Sequence, residues 1–418
     1  MKRTSLAASD YYEILARHLV PMFPGSSLSS SPVSVIIREQ VFPEHKRALL
    51  VKPDPIWPYC LRLTYAQGFE ADDVRLVKQF IRAFHEKLVA SDQPFFRYLV
   101  DRCPEDVVAW SIQQKLMDDS LLPAIISVLK KWAIETYEGN PIAAAIGVDP
   151  HPNPQRISNI HLGDIADTNY AKVLSNGMDT LLVLSPSGHI VDHLTVDETA
   201  PHSSSENPPF APRRHLSLAM WATKGRVALA LNRHGEILVF KDRTLKFAFR
   251  SGTWSHFAHA SMIQRMGGSA PLMRAVYASC LDVSFSRTGG CIAVAKHRSA
   301  KLATKFLNDN DLLSPPTTEK TSLLRHLIGQ RFSEMPRSIR EEMTALDGAT
   351  VLDATGTVIA AGAIVRVPGG SEGGGRLAAA KTLSRMGLAV KISADGGISA
   401  FSDGGTVTDP EVAFKVCV

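Results

Sequence analysis

The chain has little that would staple it covalently or anchor it in a bilayer. Of 418 residues, five are cysteine: Cys60, Cys103, Cys280, Cys291 and Cys417. The number is odd, the spacing is wide and no C-x-x-C pair occurs, which argues against a disulfide framework or a zinc site and fits a reducing cytoplasm. Long apolar runs are missing as well. The most apolar helical stretch, Leu121 to Ile134, carries Lys130 and Lys131 and falls short of a membrane span. Met1-Lys2-Arg3 has the charge of a signal peptide, but the apolar run behind it stops at Ser9-Asp10, so no signal peptide is expected. Excess charge of one sign is also slight. A net charge of +5 is mild support for an anionic partner and does not call for nucleic acid. The basic residues Lys296, His297, Arg298, Lys301 and Lys305 have no interleaved aromatics and read as a solvated face.

What is present is ordinary globular composition, 45% hydrophobic and 21% charged, in a chain too long for one core. Residues 1–150 read as an α+β docking or regulatory domain. A helix is expected from Asp10 to Leu19, then short strands at Val33–Arg38, Ala48–Lys52 and Tyr59–Tyr65. A long amphipathic helix follows from Asp72 to Val89, with Val74, Val77, Phe80, Ile81, Phe84 and Leu88 on one face. Two further helices are placed at Glu105–Asp118 and Leu121–Tyr137, and Trp57, Trp110 and Trp132 read as core packing.

The alternating prolines of Asp149-Pro150-His151-Pro152-Asn153-Pro154 mark a boundary. His151 and His161 lack a third ligand at metal spacing and read as loop histidines. Residues 151–262 switch to period two and form a β-rich section. Hairpins are expected at Thr180–Leu194 and Val227–Phe240, with a strand at Leu245–Arg250. A Ser/Pro-rich loop spans Pro201–Pro212, and His256 and His259, three apart, read as one packed histidine at a loop or helix start. Residues 263–418 alternate strands with helices at Pro271–Leu281, Leu323–Phe332, Ile339–Leu346 and Arg376–Met386, which predicts a mixed sheet surrounded by helices, α/β or α+β overall.

Chemistry concentrates in this last section. Gly369-Gly370-Ser371-Glu372-Gly373-Gly374-Gly375 runs into a helix that opens on Arg376. Backbone N–H groups, a helix dipole and a guanidinium together suit a phosphate. No Gly-Lys-Ser/Thr follows, so this is not a Walker loop, and the spacing is not that of a dinucleotide-binding fingerprint. On composition alone the glycines fit a flexible connector equally well. Asp347-Gly348-Ala349, at the mouth of a strand, lets a ligand lie against backbone while a carboxylate meets a metal or a ribose hydroxyl; alone it reads as a turn.

Taken together, Asp347-Gly348-Ala349, the hairpin with Gly356, the glycine loop into Arg376-x-x-Ala, the strand Ala389–Ser399 and the segment Ser286–Val294 resemble the diadenylate cyclase (DAC) domain family over about 263–405. The resemblance implies a nucleotide site at Asp347, Gly348, Ala349, Gly374, Gly375 and Arg376. It also implies Mg²⁺ or Mn²⁺ on Asp347 and Asp395, which would be the catalytic carboxylates of an active cyclase. The departures fall on the catalytic part. Where the family has G-T-R-H-R-A, this chain has Gly374-Gly375-Arg376-Leu377-Ala378-Ala379, and the S-E-E-T-G segment is Ser393-Ala394-Asp395-Gly396-Gly397. Each lost charge donor costs about 3 kcal/mol of barrier, roughly a hundredfold. The expected function is therefore a nucleotide or cyclic-dinucleotide sensor, similar to the DACNV-type branch of bacterial signalling and anti-phage conflict systems. The alternative is an active diadenylate cyclase making cyclic di-AMP from two ATP. The implied partners are ATP or a cyclic dinucleotide and an effector protein, with a homodimer if the site assembles between protomers; no membrane partner is expected, and the location is cytoplasmic.

Overall fold

The computed structural model describes residues 6–34, 39–90, 96, 99–196, 209–296, 305–367, 374–405 and 410–416. They fall into two compact units, Met1–Phe257 and Ala258–Val418. Both combine helices with sheets, so the α+β class expected from the sequence holds.

The first unit opens with α1 (Ala8–His18), followed by a four-stranded antiparallel sheet of β1 (Ser26–Leu28), β2 (Val41–His45), β3 (Ala48–Val51) and β4 (Leu61–Tyr65) in the order β1-β4-β3-β2. Three helices follow: α2 (Ala71–Ala90), α3 (Cys103–Ile112) and α4 (Leu121–Ala133). The apolar stripe read in the sequence is the buried face of α2, where Leu76, Val77, Phe80, Ile81 and Phe84 are all inside. Helix α4 stops four residues short of the expected Tyr137. Glu138 and Gly139 both take positive φ, which makes the two-residue turn between the short strands β5 (Thr136–Tyr137) and β6 (Asn140–Pro141). Helix α3 likewise ends at Ile112 rather than Asp118, because Gln113 turns to extended backbone.

A seven-stranded sheet completes this unit: β7 (Ala144–Val148), β8 (Thr180–Leu184), β9 (Ile190–Thr195), β10 (Val227–Leu231), β11 (Ile237–Lys241), β12 (Thr244–Arg250) and β13 (Thr253–His256), in the order β13-β12-β11-β10-β7-β8-β9. Both expected hairpins are present, as β8–β9 and β10–β11. Strand β7, from the N-terminal side of the proline cluster, pairs with β10 and β8, so the cluster interrupts the chain without dividing the sheet. The two sheets and helices α1 to α4 share one hydrophobic core, which includes Trp57 and Trp132 as the sequence led one to expect. The strand expected at Val33–Arg38 and the loop at Pro201–Pro212 fall largely outside the described residues.

The short helices α5 (Leu162–Ile165) and α6 (Leu216–Trp221) lie in the connections. His161 caps α5, its ring accepting the Gly163 N–H, which accounts for this loop histidine without a metal. His215, just ahead of α6, is buried against Phe240, with ring centroids 6.0 Å apart and planes 25° apart. Neither of its ring nitrogens has a hydrogen-bond partner among the described residues, and burial, reinforced by the charge of Arg214, pushes its pKa down to about 4. The folded state thus holds His215 neutral, while the unfolded chain takes up a proton below the ordinary value of 6.5. Stability is fully present above that value and is lost as pH falls toward 4. Urea denaturation at pH 7 and pH 5 should show a loss larger by about 2 kcal/mol in the wild type than in His215→Phe. Equal losses in the two proteins would contradict this role.

The second unit begins with α7 (His259–Met266) and α8 (Ala270–Phe285). Its sheet contains β14 (Gly290–Ala295), β15 (Ala349–Leu352), β16 (Val358–Ala363), β17 (Gly387–Ile392), β18 (Ile398–Gly405) and β19 (Pro410–Val416), in the order β16-β15-β14-β17-β18-β19. Only the β14–β15 pairing is parallel. Between β14 and β15 the chain forms α9 (Glu319–Leu323) and α10 (Arg337–Ala345), and α11 (Gly375–Leu383) connects β16 to β17. The helix expected at Leu323–Phe332 is instead the end of α9, a 3₁₀ segment at Leu324–Leu327 and another at Phe332–Glu334.

Successive residues of β14 point to opposite faces of the sheet. Cys291, Ala293 and Ala295 join Ala380 and Leu383 of α11 in one core cluster. A Cβ on Gly290 would instead lie 2.2 Å from the Thr344 carbonyl oxygen of α10 and 3.5 Å from Val283 of α8. The sheet is therefore covered by α11 on one face and by α8 and α10 on the other. The second face is tied by a bidentate pair, in which Arg337 Nε and Nη2 each donate to Asp282 at 2.7 Å, and by Ser286 Oγ donating to Glu341 at 2.6 Å.

Candidate functional site

The strand register brings the residues singled out in the sequence to one end of this sheet. Ile292 of β14 stands beside Thr350 of β15 in the parallel pair, so the segments that lead into the two strands, with Gly289 and Asp347, lie at the same end of the sheet. On the other side of β14, Gly290 pairs with Ile392, which brings the turn after β17, with Asp395, to this same end. Arg287 Nη1 does donate to the Asp395 carbonyl oxygen.

Arg376, the second residue of α11, reaches the same place. A Cβ added to Gly289 would lie 2.4 Å from Arg376 Nη1, 3.1 Å from its Cζ and 3.1 Å from the Ala394 nitrogen. Gly289 also sits at φ +70°, a conformation that L side chains rarely adopt. Glycine is needed here twice, for the backbone and for the guanidinium that packs on it. Burial pushes the Cys291 thiol up to about 12, and the nearby positive charge of Arg376 pulls the other way. Arg376 makes no ion pair among the described residues, and neither does Asp347.

The start of α11 has the features that favour an anion. Gly374 takes the N-cap position at φ +92°, and no side chain caps the helix. Glycines 374 and 375 are exposed, so the first N–H groups and the dipole of this nine-residue helix face outward beside Arg376. The next two side chains turn inward: Leu377 packs against the core cluster and Ala378 is 7% exposed. The remainder of the glycine loop, 369–373 including Glu372, lies outside the described residues.

Asp347 is exposed, and the turn that carries it is braced from behind. Gly348, at φ +98°, lies so close to β16 that a Cβ would come within 2.5 Å of the Gly362 carbonyl carbon. The Gly362 oxygen accepts from Lys320 Nζ at 2.6 Å, Lys320 pairs with Asp311 at 2.5 Å, and Asp311 accepts the Ile364 N–H at 2.9 Å. Ala349 begins β15 and is fully buried. Among the described residues, no group of three or more His, Cys, Asp or Glu could hold a metal by itself. An exposed carboxylate such as Asp347 fits a divalent cation that arrives on phosphate oxygens, since Mg²⁺ commonly takes one or two carboxylates and completes its shell with phosphate and water. Asp395 is tied locally, its carboxylate accepting the Gly397 N–H at 3.4 Å and its main-chain carbonyl accepting from Arg287, a cation that would compete with a metal. His256 and His259 do not join this site: His256 contacts Asp73 at 3.2 Å in the first unit, and His259 is buried on Tyr277 at 2.9 Å.

Arg287 and Gly289 were not among the residues assigned to the site from sequence. Their signal was the Arg-Thr-Gly-Gly run before an apolar strand, where a glycine doublet permits close approach.

No family model matches the chain, and no curated protein matches it. Among solved structures, a cysteine double mutant of DacA from Staphylococcus aureus is similar at 18% identity, over 34% of this chain and 85% of that one, with a TM-score of 0.23. A protein described as a hypothetical membrane spanning protein from Bacillus cereus is similar at 14% identity, over 37% of this chain and 74% of that one, also at 0.23. Likeness at this level identifies neither a ligand nor an activity. Among the described residues of this chain, no helix is long and apolar enough to cross a membrane.

The packing of Arg376 on Gly289 can be tested by a double-mutant cycle read by urea denaturation. Gly289→Ala should cost about 1 kcal/mol for its backbone conformation in any background, and a further increment of about 1 kcal/mol only while Arg376 is present. If the cost is the same with and without Arg376→Ala, the two residues do not share the site.

Proposed function

We propose that the C-terminal unit binds a nucleotide or a cyclic dinucleotide at the sheet end formed by Asp347-Gly348, Gly289 and the start of α11. The observation that carries this reading is the Arg376 guanidinium, seated on a glycine floor, without a carboxylate partner among the described residues, beside an uncapped helix N-terminus. A phosphate satisfies all three features: it accepts from a guanidinium in bidentate fashion, takes the unpaired backbone N–H groups and sits at the positive end of the dipole. Asp347 would hold a Mg²⁺ or Mn²⁺ carried by the phosphates. When bound, that cation supplies charge neutralisation; the chain's own residues bind and orient the anion.

Binding is favoured over synthesis. Joining two nucleotides requires donors aimed at charge that develops in the transition state. Of the three consecutive positions that would supply such donors in the DAC family, only Arg376 carries one, and Leu377 and Ala378 are spent on the core. Recognition of a ligand needs the pocket alone. The role this supports is that of a DACNV-type sensor in a bacterial signalling or anti-phage system, passing its state to residues 1–257 or to an effector protein.

Calorimetry with ATP, cyclic di-AMP and other cyclic dinucleotides on the full chain tests the reading. At least one should bind, and Arg376→Ala should weaken it by about 10- to 100-fold, the worth of a charge-assisted hydrogen-bond pair. No binding to any of them overturns the proposal. Cyclic di-AMP formed from ATP and Mn²⁺, detected by chromatography, would show instead that the site is an active cyclase.

A further inference from the structure

The positive charge of the chain is unevenly placed. Residues 209–250 hold nine lysines and arginines against two carboxylates, Glu236 and Asp242, a net +7. The whole chain is +5, so all the other residues together carry −2. Two of the nine lie apart: Arg250 is buried on Glu236 at 2.5 Å, and Arg233 sits in the β10–β11 turn. Four others gather at the opposite end of that hairpin. Strand β10 opens at Val227, whose partner is Lys241, the last residue of β11. Lys224 and Arg226 lead into β10 and Arg243 follows β11, so with Lys241 they share one end of the seven-stranded sheet.

The backbone fixes this cluster, because the Arg243 N–H donates to the Ala222 carbonyl and the Arg226 N–H to that of Thr223, both at 3.0 Å. The Arg226 guanidinium lies 5.0 Å over the Trp221 ring, and its Nε also donates to Thr223. That of Arg243 donates to the Met220 sulfur at 3.4 Å and has no oxygen acceptor among the described residues. Lys241 Nζ donates to the Ser111 carbonyl of α3 at 3.3 Å, and Lys224 is exposed. None of the four makes an ion pair among the described residues. Two carboxylates belong to the same strand ends: Asp242, in the turn, and Asp149, which follows the Val148 partner of Val227 and accepts the His151 N–H. Four cations thus stand against two carboxylates. Burial lowers the Lys241 pKa, and the charges of Lys246 and Arg75 add to this against the pull of Asp242.

The cations stand on both faces of the sheet. Phe240 stacks on His215 beside α6, where Arg243 meets Met220, whereas the next residue, Lys241, reaches α3 on the other face. A compact anion meets one face; a string of phosphates lying across the strand ends meets both. Among the described residues, no large hydrophobic side chain of 209–250 is exposed, so a protein partner would find no apolar anchor here. Guanidinium groups match phosphate in bidentate fashion. We propose that this end of the sheet, built on Lys224, Arg226, Lys241 and Arg243, binds the phosphate backbone of a nucleic acid without reading its sequence. The surface lies wholly within the first unit and is independent of the nucleotide reading.

Fluorescence anisotropy of the full chain with a labelled DNA duplex of about 20 base pairs, at a series of sodium chloride concentrations, tests it. Binding should be tighter than about 100 μM at about 50 mM salt and weaken with a log–log slope of about −3, near −0.9 for each phosphate neutralised. Arg226→Gln and Arg243→Gln should each weaken binding by about fivefold and flatten the slope by about one. Arg233→Gln, at the other end of the hairpin, should change neither. Should the Arg226 variant fail to fold, Lys224→Gln, at an exposed position, carries the same expectation. The proposal is overturned if the duplex does not bind, if the Arg226 and Arg243 variants keep the wild-type slope, or if Arg233→Gln has the same effect as they do. Displacement of the duplex by an equal charge of polyglutamate or sodium triphosphate also overturns it, since the surface would then take an acidic peptide or a compact phosphate.

Discussion

The contact on which the C-terminal site depends is the seating of the Arg376 guanidinium on Gly289. Helix α11 and strand β14 are far apart in the chain, and each supplies half of the contact: one an arginine at a helix start, the other a left-handed glycine without a side chain. Around it the single parallel pairing of the sheet, β14 with β15, delivers Asp347 to the same end. The antiparallel pairing of β14 with β17 delivers the Asp395 turn, which Arg287 holds by its carbonyl. Were β15 antiparallel to β14, Asp347 would lie at the opposite edge. The site is a consequence of strand direction as much as of residue identity.

Much of this was legible in the sequence, for reasons that can be named. The hairpins β8–β9 and β10–β11 and helix α2 follow from local periodicity and turn glycines, which act over a few residues. Asp347-Gly348, Gly374-Gly375 and Arg376 were singled out because together they resemble the DAC family's nucleotide segments; taken alone, the glycines fit a connector and Asp347-Gly348 a turn. Arg287 and Gly289 were passed over as site residues because their contacts form only when the chain returns more than 80 positions later, with Arg376 on Gly289 and the Asp395 carbonyl on Arg287. The helix ends at Ile112 and Ala133 were overrun because apolar spacing continues past the point where backbone conformation changes, at Gln113 and at Glu138-Gly139.

On the proposed reading, the two positions after Arg376 favour recognition over chemistry. Leu377 and Ala378 add apolar packing beneath α11, where a charged donor would have to leave the core to meet a ligand. What they strengthen is the helix seat, at positions where the proposed reading needs no charged donor. Arg376 and the uncapped N-terminus are the features on which the proposed anion site rests.

Hydrogen exchange with and without saturating nucleotide reads this claim most directly. The account predicts slower exchange in the nucleotide complex at the amides of Gly375 and Arg376 and at Gly289-Gly290, the two halves of the contact. Exchange that stays unchanged at both places while nucleotide binds, or slows only within residues 1–257, would contradict it.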